Sequence, residues 1–312
     1  WLLQSSQAKY GCYKMINIGI IGFGFVGSSV AYGFSPQTGF DKAVLRVYDK
    51  DPARATHTLN EVLEASDYIF LSVPTPSNAN GSISLSILDE VVEEISDKGT
   101  KDGCIVLIRS TVTPGTTRNF AEKYTNLRFV FNPEFLTERS AKFDFINQAR
   151  FILGGEPDNT ERVADLFRIR FGSSTPTIQT DFETAEFIKY MNNCYFATKV
   201  SFMNEMRLIA DKSGVDWSTA VDGFVRDGRV GHSHIHVPGP DGKFGFGGSC
   251  FPKDIQAMMT HARSLGVEPN VLSGAWKTNL KVRPEKDWEK LLGRAVIKKE
   301  KNDERSKNIS VV

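Results

Sequence analysis

The segment INIGIIGFGFVG, residues 16–27, constrains the fold more than any other stretch: a six-residue apolar run leads directly into glycines at 22, 24 and 27. An apolar run of that length suits a buried strand. In Gly-x-Gly-x-x-Gly spacing after such a strand, Gly22 permits a tight turn, Gly24 lets a pyrophosphate approach the backbone, and Gly27 allows a helix to pack closely on the strand. Comparable runs follow at 43–49 (AVLRVYD), 67–73 (DYIFLSV), 104–110 (CIVLIRS), 127–132 (LRFVFN) and 150–155 (RFILGG). Because these runs are mostly apolar along their length and alternate with helix-length amphipathic stretches, the fold class predicted is α/β. The N-terminal part reads as a Rossmann-like, doubly wound parallel sheet buried on both faces.

Asp49 follows Gly27 by 22 residues at the end of the next strand, close to the roughly 20 expected of a carboxylate that binds ribose hydroxyls. A carboxylate there would repel a 2′-phosphate, so NAD is favoured over NADP even with Arg54 nearby. Cofactor contacts are therefore expected at Gly22, Phe23, Gly24, Phe25, Val26, Gly27, Asp49 and Arg54. The loops SVPTP (72–76) and STVTPGTT (110–117) fall at strand carboxyl ends, where ligands bind in doubly wound sheets. That places Val73, Thr75, Ser110 and Thr111 at the nicotinamide half, beside the alternative of ordinary turn chemistry.

The texture changes after a helix over about 158–171 and a short strand near Thr177. Residues 180–214 contain no proline and no internal glycine, begin with acidic residues and end at Gly214, which predicts a helix on the order of 50 Å long. A helix of that length bridges domains or packs on another subunit. Further helices are expected over about 216–225, from Cys250 to about 265, and from Pro269 with a kink at Pro284. The predicted organisation is an extension outside the fold at 1–14, a dinucleotide-binding domain at 15–179, an all-helical central domain at 180–280 with a long bridging helix, and a charged tail at 281–312 read as a solvated, fraying helix.

The net charge of +1 gives no global field for nucleic acid or an anionic membrane. Cys12, Cys104, Cys194 and Cys250 form no CxxC pair, which argues against a disulfide framework or a cysteine zinc site. The apolar runs are too short to span a bilayer, and residues 1–14 lack the order of a secretory signal; a cytoplasmic protein is expected. His232, His234 and His236 would share a face if extended, but without a cysteine or acidic co-ligand they read as a polar loop, and no metal is expected.

Three further groups are equipped for chemistry. Glu134 and Glu138 are one helical turn apart if helical, either as a base toward water or as acids of an exposed helix start. Lys189 and Asn193 are likewise i and i+4, either stabilising an oxyanion or forming a solvated stripe. Cys250 stands in FGFGGSCFPKD just ahead of Pro252, so its thiol would sit at the positive end of a helix with Lys253 beside it, conditions that favour a thiolate. Asp254 is close enough to orient a partner of the thiol or to hold Lys189.

Taken in order, GFGFVG, Asp49, STVTPG, NPEFLTE, AEFIKYMNN, DGRVG and GFGGSCFPKD resemble the UDP-glucose/GDP-mannose dehydrogenase family over about residues 15–280, most of all its UDP-glucose-oxidising members. The resemblance implies oxidation of the sugar C6 alcohol to a carboxylate with two NAD, Cys250 capturing the aldehyde as a thiohemiacetal and then a thioester. It implies oxyanion stabilisation by Lys189 and Asn193, support from Asp254, and a hydrolytic water positioned by Glu134 with Thr111. Glu138, Lys253 and the Glu134, Phe135 and Leu136 backbone would touch sugar and cofactor, the Phe244, Gly245, Phe246 and Gly247 backbone would line the sugar, and Arg229 would reach the substrate of a partner subunit in a homodimer. The family continues into a further nucleotide-binding domain that these 312 residues lack. Alternatives are therefore a truncated, inactive dinucleotide-binding dimer, or a dehydrogenase of GDP-mannose or a UDP-N-acetyl sugar.

Overall fold

Seven strands form one sheet in the computed structural model, which describes residues 15–297. They are β1 (Ile16–Ile21), β2 (Ala43–Tyr48), β3 (Tyr68–Leu71), β4 (Ile105–Ile108), β5 (Phe129–Phe131), β6 (Phe151–Gly155) and β7 (Thr177–Thr180), in spatial order β2-β1-β3-β4-β5-β6-β7. The chain divides into two compact units, the first made of the chain to Val73 with Ser86–Lys189, the second of Pro74–Leu85 with the chain from Tyr190 onward. The extension predicted at 1–14 and the tail beyond 297 lie outside the described residues.

The first unit contains the whole sheet with α1 (Phe25–Gly33), α2 (Leu59–Ala65), α3 (Ser86–Lys98), α4 (Thr116–Lys123), α5 (Ala141–Ile146), α6 (Pro157–Phe171) and the start of α7 (Phe182–Ser213). β4 and β5 are buried throughout and β1, β3 and β6 over most of their length, as their largely apolar sequences require, whereas β7 has no buried residue and β2 only Val47, because these two are the sheet edges. Phe34, Phe70, Phe145, Phe151 and Phe167 make the aromatic part of the core, with the Phe151 and Phe167 rings 4.3 Å apart. One feature corrects the all-parallel expectation: β6 runs antiparallel to β5, pairing Val130 with Gly155 and Phe131 with Gly154, and β7 is parallel to β6. Just past β5, the Asn132 side-chain amide donates to the Ile152 carbonyl at 2.9 Å and so ties the two strands together.

The second unit is helical: the rest of α7, α8 (Trp217–Val225), α9 (Phe251–Ser264) and α10 (Asn270–Val282). α7 starts where Asp181 accepts the Thr184 amide at 2.7 Å, and ends at Gly214 (φ +67), after which the Val215 amide reaches back to Ala210; its 32 residues give about 48 Å. Asp216 caps α8 through the Ser218 and Thr219 amides. α10 stops at Val282 rather than kinking at Pro284, since a residue before proline is pushed out of the helical region.

The chain after α10 also departs from expectation. In place of a solvated helix, a 3-10 turn at Asp287–Lys290 buries Trp288 against Trp276, and Val296 bridges to Ser77. Trp288 and Ala295 are the apolar residues that hold down a segment whose charge density reads as solvated.

Candidate active site

Gly22 leaves β1 with φ +88, and a Cβ there would stand 2.6 Å from the Ser72 carbonyl oxygen; a Cβ on Gly27 would run into the carbonyl of Gly22. Both glycines are thus required by the protein's own packing. Gly24 differs: it is the N-cap of α1, offers no side-chain cap, and has open space where a Cβ would stand. The N-terminus of α1 beside an unobstructed glycine makes a cradle that fits a pyrophosphate.

Asp49 is fixed next to this loop, accepting the Phe23 amide at 2.6 Å on Oδ2 and the Asp51 amide at 2.9 Å on Oδ1. A carboxylate retains further lone pairs for hydroxyls, so this placement fits the ribose of NAD. Arg54 is exposed and lies 3.3 Å from Asp51, committed to that acid. Phe23 and Phe25 are half-buried against the core, with Val26 half-buried in the same turn.

At the strand ends, the Ser110 hydroxyl donates to the Val73 carbonyl at 2.7 Å, tying the exits of β3 and β4 together, and Thr111 is half-buried just beyond. Thr75 is buried and belongs to the second unit.

Glu134 and Glu138 do not share a helical face. Residues 132–137 are irregular and α5 begins only at Ala141, because Asp144 binds the amide and hydroxyl of Thr137 and holds the preceding chain in a turn. Glu134 is buried and Glu138 exposed. The Glu134 carboxylate accepts the Leu136 amide at 2.7 Å and lies 3.0 Å from the Lys189 ammonium, which also donates to the Glu134 carbonyl and stands 5.4 Å from the Phe135 ring centre. Leu136 is part of the core. Lys189 and Asn193, one turn apart on α7, are both buried, so the solvated-stripe alternative is excluded.

In the second unit, Cys250 is the N-cap residue of α9, half-buried, with Pro252 in the first turn. Its thiol thus stands at the positive end of that helix. Burial pushes the Cys104 thiol up to about 12 and the Cys194 thiol also upward. One turn into α9, fully buried Asp254 accepts the Asn193 amide and the Lys253 ammonium, each at 2.6 Å. Lys253 is buried with it.

The glycine loop ahead of Cys250 is held from within its unit. Gly245 N–H donates to Asn204 and Phe246 N–H to Asn279, which in turn donates to the Phe246 carbonyl. A Cβ on Gly247 would stand 2.5 Å from the Arg283 guanidinium, so Gly245 and Gly247 serve helix-to-loop packing; Gly248, at φ +73, has open space beside it. Phe244 and Phe246 pack into separate apolar clusters. Arg283 is buried and bridges Asp287, Asp241 and the Phe244 carbonyl, and these acids raise its basicity. Arg229 is exposed in its loop and paired with Asp227 at 2.5 Å. The histidines do not share a face: His234 stacks on Phe196 with ring centres 4.1 Å apart, while His232 and His236 are exposed. Among the described residues no His, Cys, Asp and Glu cluster could hold a metal ion, and no helix is long and apolar enough to cross a membrane.

Sequence reading missed Glu186, Arg109, Asn204, Asn279 and Arg283. Glu186 was within reach of it, since 186, 189 and 193 recur at helical spacing as polar residues in an otherwise apolar stretch. Arg109 is buried at the end of β4, where its guanidinium donates to Asn132 and faces the Phe145 ring at 5.6 Å; burial lowers its pKa to about 10. Nothing local distinguishes it from a surface arginine at a strand end.

Residues 36–169 match the UDP-glucose/GDP-mannose dehydrogenase family, NAD binding domain, and residues 183–281 match the same family's central domain. A UDP-glucose 6-dehydrogenase of Rickettsia bellii is 33% identical over 253 residues, covering 80% of this chain and 57% of its own length. The UDP-glucose 6-dehydrogenase AglM of Haloferax volcanii is 30% identical over 305 residues, covering 85% of this chain and 69% of its own. In structure, the chain is similar to a UDP-glucose dehydrogenase of Pyrobaculum islandicum, with TM-score 0.73 and 28% identity over 86% of this chain and 69% of that one. The chain therefore spans between a little over half and about two thirds of the length of these proteins. It belongs to the UDP-glucose/GDP-mannose dehydrogenase family, with an NAD-binding, Rossmann-type first unit and a helical central region.

Proposed function

We propose that the chain oxidises the C6 alcohol of a nucleotide sugar, UDP-glucose, to the uronic acid, with Cys250 as the covalent nucleophile. The observation that carries this reading is the placement of a half-buried thiol at the N-cap of a 14-residue helix, one turn from an Asp254 locked between Asn193 and Lys253. The similarity to UDP-glucose 6-dehydrogenases supports the choice of sugar.

Two NAD, held in turn by the Gly24 cradle and Asp49, would supply the hydride acceptors, one for each oxidation, the second hydride leaving the Cys250 adduct. The Cys250 thiolate adds to the C6 aldehyde carbon, which keeps the aldehyde bound and sets up a thioester for hydrolysis; water then releases the carboxylate and restores the thiol. Lys189 and Asn193 would stabilise negative charge on the C6 oxygen, with Asp254 orienting Asn193. Glu134, whose charge Lys189 balances, would hold the attacking water with Thr111. Glu138, Phe135 and Leu136 would contribute to the sugar and cofactor walls, and Lys253 would lie at the cofactor. Phe244 to Gly247 would shape the sugar pocket, and exposed Arg229 would serve a neighbouring subunit's substrate.

The partner expected is a second copy of this chain. Met191, Tyr195, Phe202, Met206 and Ile209 are all exposed on α7 and recur at heptad-like spacing, an apolar seam of the kind that pairs helices. NADH release should be measured with UDP-glucose, GDP-mannose and a UDP-N-acetyl sugar, each with NAD. Turnover with UDP-glucose is expected; preference for another sugar reassigns the substrate, and NAD binding without turnover on any sugar at any enzyme concentration leaves only a dinucleotide-binding dimer.

A further inference from the structure

Glu186 is fully buried on α7 in the first unit, and no step proposed above uses it. Its Oε2 accepts the Gly115 amide at 2.6 Å, while Oε1 accepts the Thr117 amide at 2.8 Å and the Thr117 hydroxyl at 2.6 Å. Gly115 is the N-cap of α4, has φ +95 and brings no side chain to cap the helix. A carboxylate from another helix thus takes the place of the missing cap, where amides lack partners and the macrodipole favours negative charge. The turn so held, residues 111–117, is fixed at its other end by the Ser110 bond to Val73.

We propose that Glu186 is a positioning residue, whose carboxylate holds the 111–117 turn in the conformation that presents Ser110 and Thr111 to the nicotinamide half of NAD. The assignment of Ser110 and Thr111 to that half rests on the functional reading above. Three donors converge on two oxygens, so a proton on either removes an acceptor position and turns charge-assisted bonds into neutral ones about half as strong. Burial pushes the Glu186 carboxyl up to about 7 against the pull of those hydrogen bonds, with Glu183 adding to the rise. Of the other charges on the packed elements, Arg118 of α4 is bonded to Glu183 at 2.5 Å, Lys189 to Glu134, and Lys123 lies over the Tyr124 ring, with Glu122 beside it on α4. The grip on the turn is therefore strongest above neutrality and weakens as the carboxylate takes up a proton.

The test is NAD titration of the full chain, followed by protein fluorescence without sugar, across pH 6 to 8, for wild type, Glu186→Gln and Thr117→Val. Wild-type affinity is expected to fall about tenfold toward the acid end, with a midpoint near 7. Glu186→Gln should be flat over this range and about tenfold weaker than wild type at the alkaline end. Thr117→Val, which removes one donor, should move the midpoint upward. Glu186→Gln with wild-type affinity and pH dependence overturns the proposal, as does a pH-independent wild type. Should Glu186→Gln fail to fold, an unmoved Thr117→Val midpoint overturns it. With no sugar present, the result stands apart from whether UDP-glucose is the substrate.

Discussion

The Lys189 ammonium is shared between the carboxylate and the backbone carbonyl of Glu134, and both side chains are buried. One long helix thus carries the cation that fixes the acid of an irregular loop. Leaving one buried charge unpaired costs roughly 3–5 kcal/mol, whereas replacing both partners costs far less. Glu134→Gln alone should therefore lower stability by about 3 kcal/mol in urea unfolding, and adding Lys189→Met should recover part of that loss. A double variant no more stable than the single would show that the pair is not coupled.

Gly24 and Gly27 should separate by readout. Gly27→Ala meets the Gly22 carbonyl and should destabilise the fold, while Gly24→Ala has open space and should leave the melting temperature unchanged. If the pyrophosphate occupies that space, Gly24→Ala should weaken NAD binding about tenfold or more, a loss of about 1.4 kcal/mol. Calorimetric NAD titration alongside thermal melts checks both, and unaltered NAD affinity in Gly24→Ala would place the pyrophosphate elsewhere.

Glu186 also sets a stability profile. Its folded-state pKa, about 7, lies above the ordinary carboxyl value of 4.5, so its contribution to stability is fully present below the lower value and is lost as pH rises through the higher. Relative to Glu186→Gln, wild type should lose about 3 kcal/mol of unfolding free energy between about pH 5 and pH 8. Urea midpoints across that range measure it; parallel curves for the two proteins would contradict the assignment. Ionised Glu186 thus grips its turn at some expense to the stability of the whole unit.

The α7 seam predicts association. Phe202→Glu or Met206→Glu places a charge among exposed apolar residues and should weaken self-association at least about a hundredfold, roughly 2.7 kcal/mol, in sedimentation equilibrium. A wild-type chain that stays monomeric at every concentration would remove the seam's proposed role.

What the sequence made legible follows the physics of each element. Strands β1, β3 and β4 are buried on both faces, so their apolar runs declare them; α7, α8 and α9 declare themselves through Asp181, Asp216, Pro252 and terminal glycines. The direction of β6 was not readable, because RFILGG is equally apolar in either orientation and its pairing with β5 is made across some twenty intervening residues. Glu134 and Glu138 have helical spacing, yet Asp144 holds that stretch in a turn through Thr137. The glycines at 245 and 247 look like room for a ligand, but their spare volume is taken by Asn279 and Arg283, residues some 35 positions later in sequence. Long-range partners of this kind leave no local trace.

On the proposed mechanism, Cys250 carries the sugar between its two oxidations. The most direct measurement is the number of NADH released per UDP-glucose consumed, with wild type and Cys250→Ser compared at matched NAD saturation. Wild type is expected to release two NADH and UDP-glucuronate, and Cys250→Ser to form no acid, with NAD affinity nearly intact. Full conversion to the acid by Cys250→Ser would contradict it.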